Sequence, residues 1–266
     1  MPEVVHWNYL NLRRAGTGPV TRWIPKLSRL GNFGDLLGPL IVRRMVKHLR
    51  LGRARSSKDR LLAVGSIMRL AQPGDTIWGA GINGKSLGDG IYPQLDIRAV
   101  RGPVSAEVLR ATNPTVPGVY GDPALLIPHL WSDAELGIER GSGGVVVMPN
   151  YNDLSTFPPD AVSPLGNPRE RIRMLGSATR VVASSLHALV IAEAYGVPAV
   201  LVTSGAEHDF KYRDYYEGTG RTMPVPVDIA DAGDAEPAPP ITSWSAEALL
   251  DAFPRDLWGA PRTNRV

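Results

Sequence analysis

The chain contains no cysteine among its 266 residues. Disulfides, thiolate nucleophiles and cysteine-bound zinc are thereby excluded. Histidine is sparse, with five residues at positions 6, 48, 129, 187 and 208. No two of them stand four apart on one helix face, so metal catalysis through histidine is not expected and no metal ligands are assigned. No apolar run reaches the roughly 18 residues of a membrane span. The segment Met1-Pro2-Glu3-Val4-Val5-His6-Trp7 lacks the basic start and apolar core of a secretory signal, so a cytoplasmic location is expected. Net charge is also small, +3. No nucleic-acid-binding motif or interleaved aromatic stripe accompanies it, which argues against nucleic acid as a partner.

What charge there is clusters. Arg43-Arg44, Lys47-His48-Leu49-Arg50 and the segment Arg53 to Arg60 form a basic run. It reads either as a solvated helix face and loop or as a contact for anionic lipid head groups or a phosphorylated acceptor. The second reading would put the protein at the inner face of a membrane. A hydrophobic fraction of 43% and a charged fraction of 21% suit an ordinary globular chain.

Short apolar runs alternate with helical patterns, which predicts an α/β fold with parallel sheets and crossover helices. Strands are expected at Glu3 to Trp7, Leu61 to Val64, Asp75 to Trp78, Ile97 to Val100, Val145 to Met148, around Val181, and at Ala199 to Thr203. Helices are expected from Asn32 to about Leu49, between Arg101 and Ala111, near Pro168 to Ser177, from Leu186 to about Tyr195 and from Ser245 to Phe253. The polar, glycine-rich stretch His129 to Gly144 reads as a linker between two halves. Asp228 to Pro240, rich in Pro, Ala and Asp, reads as a flexible connection. Open parallel sheets bind ligands at the carboxyl ends of their strands, which would gather several loops into one cleft.

The most informative segment is Val181-Val182-Ala183-Ser184-Ser185-Leu186-His187-Ala188-Leu189. A β-branched strand runs into an apolar helix, with two serines at the capping position and His187 in the first turn. Free N–H groups and the helix dipole make such a turn an anion site, beside which an imidazole can exchange protons. The plainer alternative is a helix-start histidine bonded to backbone.

Other loops add polar groups. Asn32-Phe33-Gly34-Asp35 pairs an amide and a carboxylate with a glycine at a helix start, suited to sugar hydroxyls or to simple capping. Trp78-Gly79-Ala80-Gly81-Ile82-Asn83-Gly84 looks superficially like a phosphate loop but lacks dinucleotide or Walker spacing. Arg101-Gly102-Pro103 sets a guanidinium fork before a helix. Asp122 lies in a tight turn, structural or functional. Lys211, Arg213, Asp214 and Tyr216 form a charged cluster that either closes over an anion or faces solvent. Trp7, Tyr9, Trp78, Tyr92 and Tyr151 are sugar-stacking candidates, with core packing as the alternative.

Taken together these pieces resemble the polysaccharide pyruvyl transferase family, in its bacterial exopolysaccharide branch. The matching segments, in order, are Asn32-Phe33-Gly34-Asp35, Val64-Gly65-Ser66-Ile67, Trp78-Gly79-Ala80-Gly81, Val100-Arg101-Gly102-Pro103 and Tyr120-Gly121-Asp122-Pro123-Ala124. They continue as Ser184-Ser185-Leu186-His187-Ala188, Ala192-Glu193-Ala194-Tyr195-Gly196-Val197-Pro198 and Lys211-Tyr212-Arg213-Asp214-Tyr215-Tyr216. The resemblance implies two Rossmann-like domains facing a cleft, as in GT-B glycosyltransferases. It places an N-terminal domain over residues 1–130, a C-terminal domain over 140–240, and a helix and tail over 241–266. It implies phosphoenolpyruvate as co-substrate, no further cofactor, and a sugar acceptor, which is left open between a lipid-linked oligosaccharide, a glycolipid and a finished polymer. His187 and Arg101 would be catalytic. Ser184, Ser185, Leu186, Lys211 and Arg213 would hold the donor, and Asn32, Asp35, Asn83 and Asn150 the acceptor. Two departures stand out: Ser185 replaces an arginine that some members carry before the Leu-His pair, and Asn150 replaces the histidine of a Pro-His-Tyr segment. Two rival readings are a glycosyltransferase with a nucleotide-sugar donor, using Glu193 on the ribose, and a glycan-binding relative without activity.

Overall fold

A computed structural model describes residues 2–7, 10–14, 25–29, 31–87 and 92–260, with the segments 10–14 and 25–29 as backbone alone. The expected sugar-stacking residue Tyr9 lies outside the described residues. In chain order the strands are β1 (Glu3–Val5), β2 (Leu10–Arg14), β3 (Pro25–Arg29), β4 (Arg60–Leu62), β5 (Thr76–Trp78), β6 (Asp96–Ala99), β7 (Val145–Met148), β8 (Arg180–Ala183) and β9 (Ala199–Leu201). The helices are α1 (Phe33–His48), α2 (Pro103–Arg110), α3 (Ile127–Leu130), α4 (Asp133–Leu136), α5 (Pro168–Ser177), α6 (Leu186–Ala194), α7 (Phe210–Gly218) and α8 (Ala246–Asp251).

Two parallel sheets result. One has the order β1-β4-β5-β6 and the other β7-β8-β9, while β2 and β3 pair as an antiparallel hairpin. The α/β expectation therefore holds at the level of mixed, parallel-sheet architecture. In both sheets the strands follow one another in chain order. The reversal of strand order that marks a doubly wound Rossmann sheet is not present among the described strands.

Three local expectations change. The stretch from His129 to Gly144 is no bare linker. It carries α4, closed by a capping box between Ser132 and Glu135, and it sends Leu136 and Ile138 into the core. Between the first expected strand and Asn32, where no element is expected, β2 and β3 pair antiparallel. The stretch Asp228 to Pro240 is tied to the second sheet, with the Ala238 N–H donating to Ala199 O at 2.9 Å and Ala232 buried.

One core serves both sheets. Leu61 and Trp78 of the first belong to the same buried cluster as Val146, Val181 and Leu201 of the second. Helix α6 is the hinge of this packing. Leu186, Ala188, Leu189, Val190, Ile191 and Ala192 are consecutive apart from His187, and all are buried. A helix apolar on every side cannot face water, so it sits inside the protein. It packs on β8, β9, α5 and the 3₁₀ turn Pro123–Leu126 that follows Asp122. Near the end of the described chain, α8 returns to the first sheet, where Trp78 donates its indole N–H to Leu249 O at 2.8 Å. Among the described residues no helix is long and apolar enough to cross a membrane.

Candidate active site

A cavity of about 420 Å³ opens where the carboxyl ends of the two sheets meet. Every side chain that lines it follows a strand, as an open parallel sheet requires. Trp7, Asn32 and Asp35 come after β1 and its hairpin, Ser66, Ile67 and Arg69 after β4, and Asn83, Lys85 and Ser86 after β5. From the other sheet come Asn150, Tyr151 and Asn152 after β7, Ser185, Leu186 and His187 after β8, and Glu207 and Lys211 after β9.

His187 stands in the first turn of α6, against the first turn of α1. A methyl group on Gly34 would fall 2.3 Å from its Nδ1. That close approach is the reason for glycine in Asn32-Phe33-Gly34-Asp35. Within the same motif Phe33 is buried in the core, Asn32 caps α1 by accepting from the Gly34 N–H, and Asp35 lines the cavity. Nε2 of His187 points to the buried carboxylate of Asp122, 3.6 Å from Oδ2. Burial pushes the Asp35 carboxyl up to about 6, a rise that His187, Asn32, His6 and Lys211 partly offset.

The cations lie across the cavity. Lys211 and Lys85 both reach the carboxylate of Glu207, at 3.0 Å and 2.9 Å. Asn152 donates to the same carboxylate at 3.3 Å. Burial pushes the Lys211 ammonium down to about 8, against the opposing pull of Glu207. Arg69 lies over the Trp7 ring, 4.0 Å from its centre.

Three expected residues do not line the cavity. Arg101 is fully buried beneath it, where Nε donates to Asp214 at 2.9 Å, Nη1 to the Ser66 hydroxyl at 2.6 Å and Nη2 to Ile82 O at 2.8 Å. A methyl group on Gly81 would fall 2.4 Å from the guanidinium carbon, so this glycine of the apparent phosphate loop makes room for arginine. Arg101 reaches the cavity only through Ser66. Ser184 is also buried, its hydroxyl donating to Asp153 at 2.8 Å and accepting from the Asn150 N–H at 2.8 Å. Arg213 points outward, 60% exposed and paired with Glu217 at 2.7 Å. The other eight expected residues line the cavity: Asn32, Asp35, Asn83, Asn150, Ser185, Leu186, His187 and Lys211.

The expected serine cap is absent as well. Ser185 occupies the N-cap position of α6 but makes no side-chain cap bond, and Ser184 is committed to Asp153. The Ala188 N–H turns back to Ser185 O at 3.1 Å, while Leu186 and His187, ahead of it in the same uncapped turn, line the cavity, where such a helix end can attract an anion. Of the aromatic candidates, Trp7 and Tyr151 line the cavity, whereas Trp78 is wholly buried in the core. Sequence reasoning missed Lys85, Glu207 and Arg69. Only the polar loop after β5 hinted at Lys85, and nothing local marked the other two.

Two parallel sheets meeting at a small, charged cavity at their strand ends define an α/β protein with a candidate site of lysines, carboxylates and an imidazole. The chain belongs to the polysaccharide pyruvyl transferase family, whose model matches residues 32–205. It is also similar to the succinoglycan biosynthesis protein ExoV of Rhizobium meliloti (strain 1021), 29% identical over an alignment of 227 positions that covers 75% of this chain. The match spans 66% of that relative's length.

Proposed function

We propose that the chain is a transferase that moves the pyruvate unit of phosphoenolpyruvate onto two hydroxyls of one sugar, in polysaccharide or glycolipid synthesis. The two sheets would act as the facing halves of a GT-B-like cleft. One observation carries the reading: the cavity combines paired lysines, an open helix N-terminus, an imidazole and a near-neutral carboxyl.

Each supports a step. Lys211, Lys85 and the first turn of α6 suit the phosphate and carboxylate of the donor. A sugar hydroxyl adds to C2 of the enol while C3 takes a proton, forming a methyl group. Asp35 and His187 are placed to supply and accept protons, work worth about 10²–10⁴-fold. The second hydroxyl then bonds to C2 as the C2–O bond to phosphate breaks, and its proton leaves with the phosphate. The products are a cyclic ketal and inorganic phosphate. Asn83, Asn150 and Tyr151 offer hydrogen bonds and a ring face to the sugar.

Arg101 enters this scheme as support. It holds Ser66 at the cavity floor and, through Asp214, holds the helix that carries Lys211. The nucleotide-sugar rival loses its ribose clamp, because Glu193 is taken up by Arg221 at 2.6 Å and by the Tyr215 hydroxyl at 2.5 Å.

The test incubates the protein with phosphoenolpyruvate and candidate glycans, following phosphate release and glycan mass. The expected gain is one pyruvate unit less water, lost in His187→Ala. Normal turnover in His187→Ala, or thermal stabilisation by nucleotide sugars and not by phosphoenolpyruvate, would overturn the proposal.

A further inference from the structure

We infer that Asp122 is the positioning residue for His187: it holds the Nε2 proton of the imidazole so that Nδ1 is the nitrogen that serves the cavity. Asp122 is wholly buried, and its Oδ1 is fixed by the Ala124 N–H at 2.9 Å. Its Oδ2 and the Nε2 of His187 are both buried without a hydrogen-bond partner, and they face each other at 3.6 Å. A buried polar group left unmet is costly, so the two are natural partners. A small rotation of the ring closes the gap and satisfies both. Nδ1 is the ring nitrogen left at the cavity, beside the Gly34 backbone.

The pairing is built into the core. Asp122 caps the 3₁₀ turn Pro123–Leu126, and that turn packs directly on α6. Ala124, Leu125 and Leu126 share one buried cluster with Leu186, Leu189 and Val190. Their packing fixes the register between carboxylate and imidazole. The other charged groups facing the ring are Asp35 of α1 and, across the cavity, Lys211 of α7. Neither meets Nε2. A neutral imidazole whose Nε2–H is held by Asp122 presents a lone pair on Nδ1, able to take a proton from a sugar hydroxyl and return it. This assignment rests on the proposed pyruvyl transfer for its catalytic use but not for its geometry.

The test has a spectroscopic arm and a kinetic arm. Protein labelled with ¹⁵N-histidine is examined by NMR, the His187 ring being assigned by its loss in His187→Gln. The expected result is a neutral ring protonated on Nε2 in the wild type and a mixture of tautomers in Asp122→Asn. The kinetic arm expects kcat of phosphate release in Asp122→Asn to fall roughly 10²-fold or more, with KM for phosphoenolpyruvate little changed. A wild-type ring protonated on Nδ1, or an Asp122→Asn ring with unaltered tautomer, would overturn the inference even if activity fell. The wild-type spectrum decides the matter should Asp122→Asn fail to fold. If the tautomer responds as expected but no variant transfers pyruvate, the pairing stands and the proposed reaction falls.

Discussion

Burial acts on single groups in this cavity, and pH exposes it. Asp35 keeps its proton up to about 6 in the folded chain, against an ordinary value of 3.8. Between those values the unfolded chain has lost a proton that the folded chain retains, so this group's contribution to stability falls as pH rises. The cost is complete above pH 6. Replacing Asp35 by Asn should raise stability at pH 7.5 by about 2–3 kcal/mol and leave it unchanged near pH 3, as measured by urea unfolding. Lys211 has the opposite sign. Its ammonium is lost at about 8 rather than 10.5, so stability from this group rises with pH between those values; on the proposed function, donor binding weakens over the same range. KM for phosphoenolpyruvate should rise between pH 7 and pH 9, and Lys211→Arg should flatten that rise. Gly34→Ala would drive a methyl into the imidazole and should cost roughly 10²-fold in turnover. Circular dichroism should show the helix unchanged.

Elements show which parts of the site could be read in advance. The motif around His187 was legible because strand, cap position and helix lie within one short segment whose periodicity changes once. Asn32 to Asp35 was legible for the same reason. Arg101 was placed correctly before α2, yet its role could not be read, because its partner Asp214 lies 113 residues away on α7. Glu207 and Lys85 meet across 122 residues for the same reason, with packing of loops deciding the contact. Asp122 was visible as a turn residue, while its proximity to His187 depends on how α6 seats on a 3₁₀ turn. The Arg101–Asp214 pair gives an element-level prediction. Both side chains are fully buried, so Arg101→Met should destabilise by about 3–5 kcal/mol by stranding Asp214. The double variant Arg101→Met/Asp214→Leu should recover much of that loss in thermal unfolding.

At the scale of the whole molecule, the shared core argues for cooperativity. Residues of both sheets pack in one buried cluster, and Phe253 of the closing segment meets Trp78 edge-on with ring centres 4.9 Å apart. Thermal unfolding should therefore show one transition, by calorimetry and by tryptophan fluorescence alike. Removing residues 241–260 should expose Trp78, shift its emission to the red and lower Tm by more than about 10 °C. Two separate transitions, or an unaltered Tm, would contradict this account.

A helix hemmed in by apolar neighbours leaves evolution little freedom at its tip. Because the apolar body of α6 is buried among both sheets, the helix that presents His187 to the cavity cannot be re-aimed without disturbing the packing of both. On the proposed function, changes of acceptor would then fall to the outer loops bearing Asn83, Tyr151 and Asn152, which can be recut while His187 stays in place.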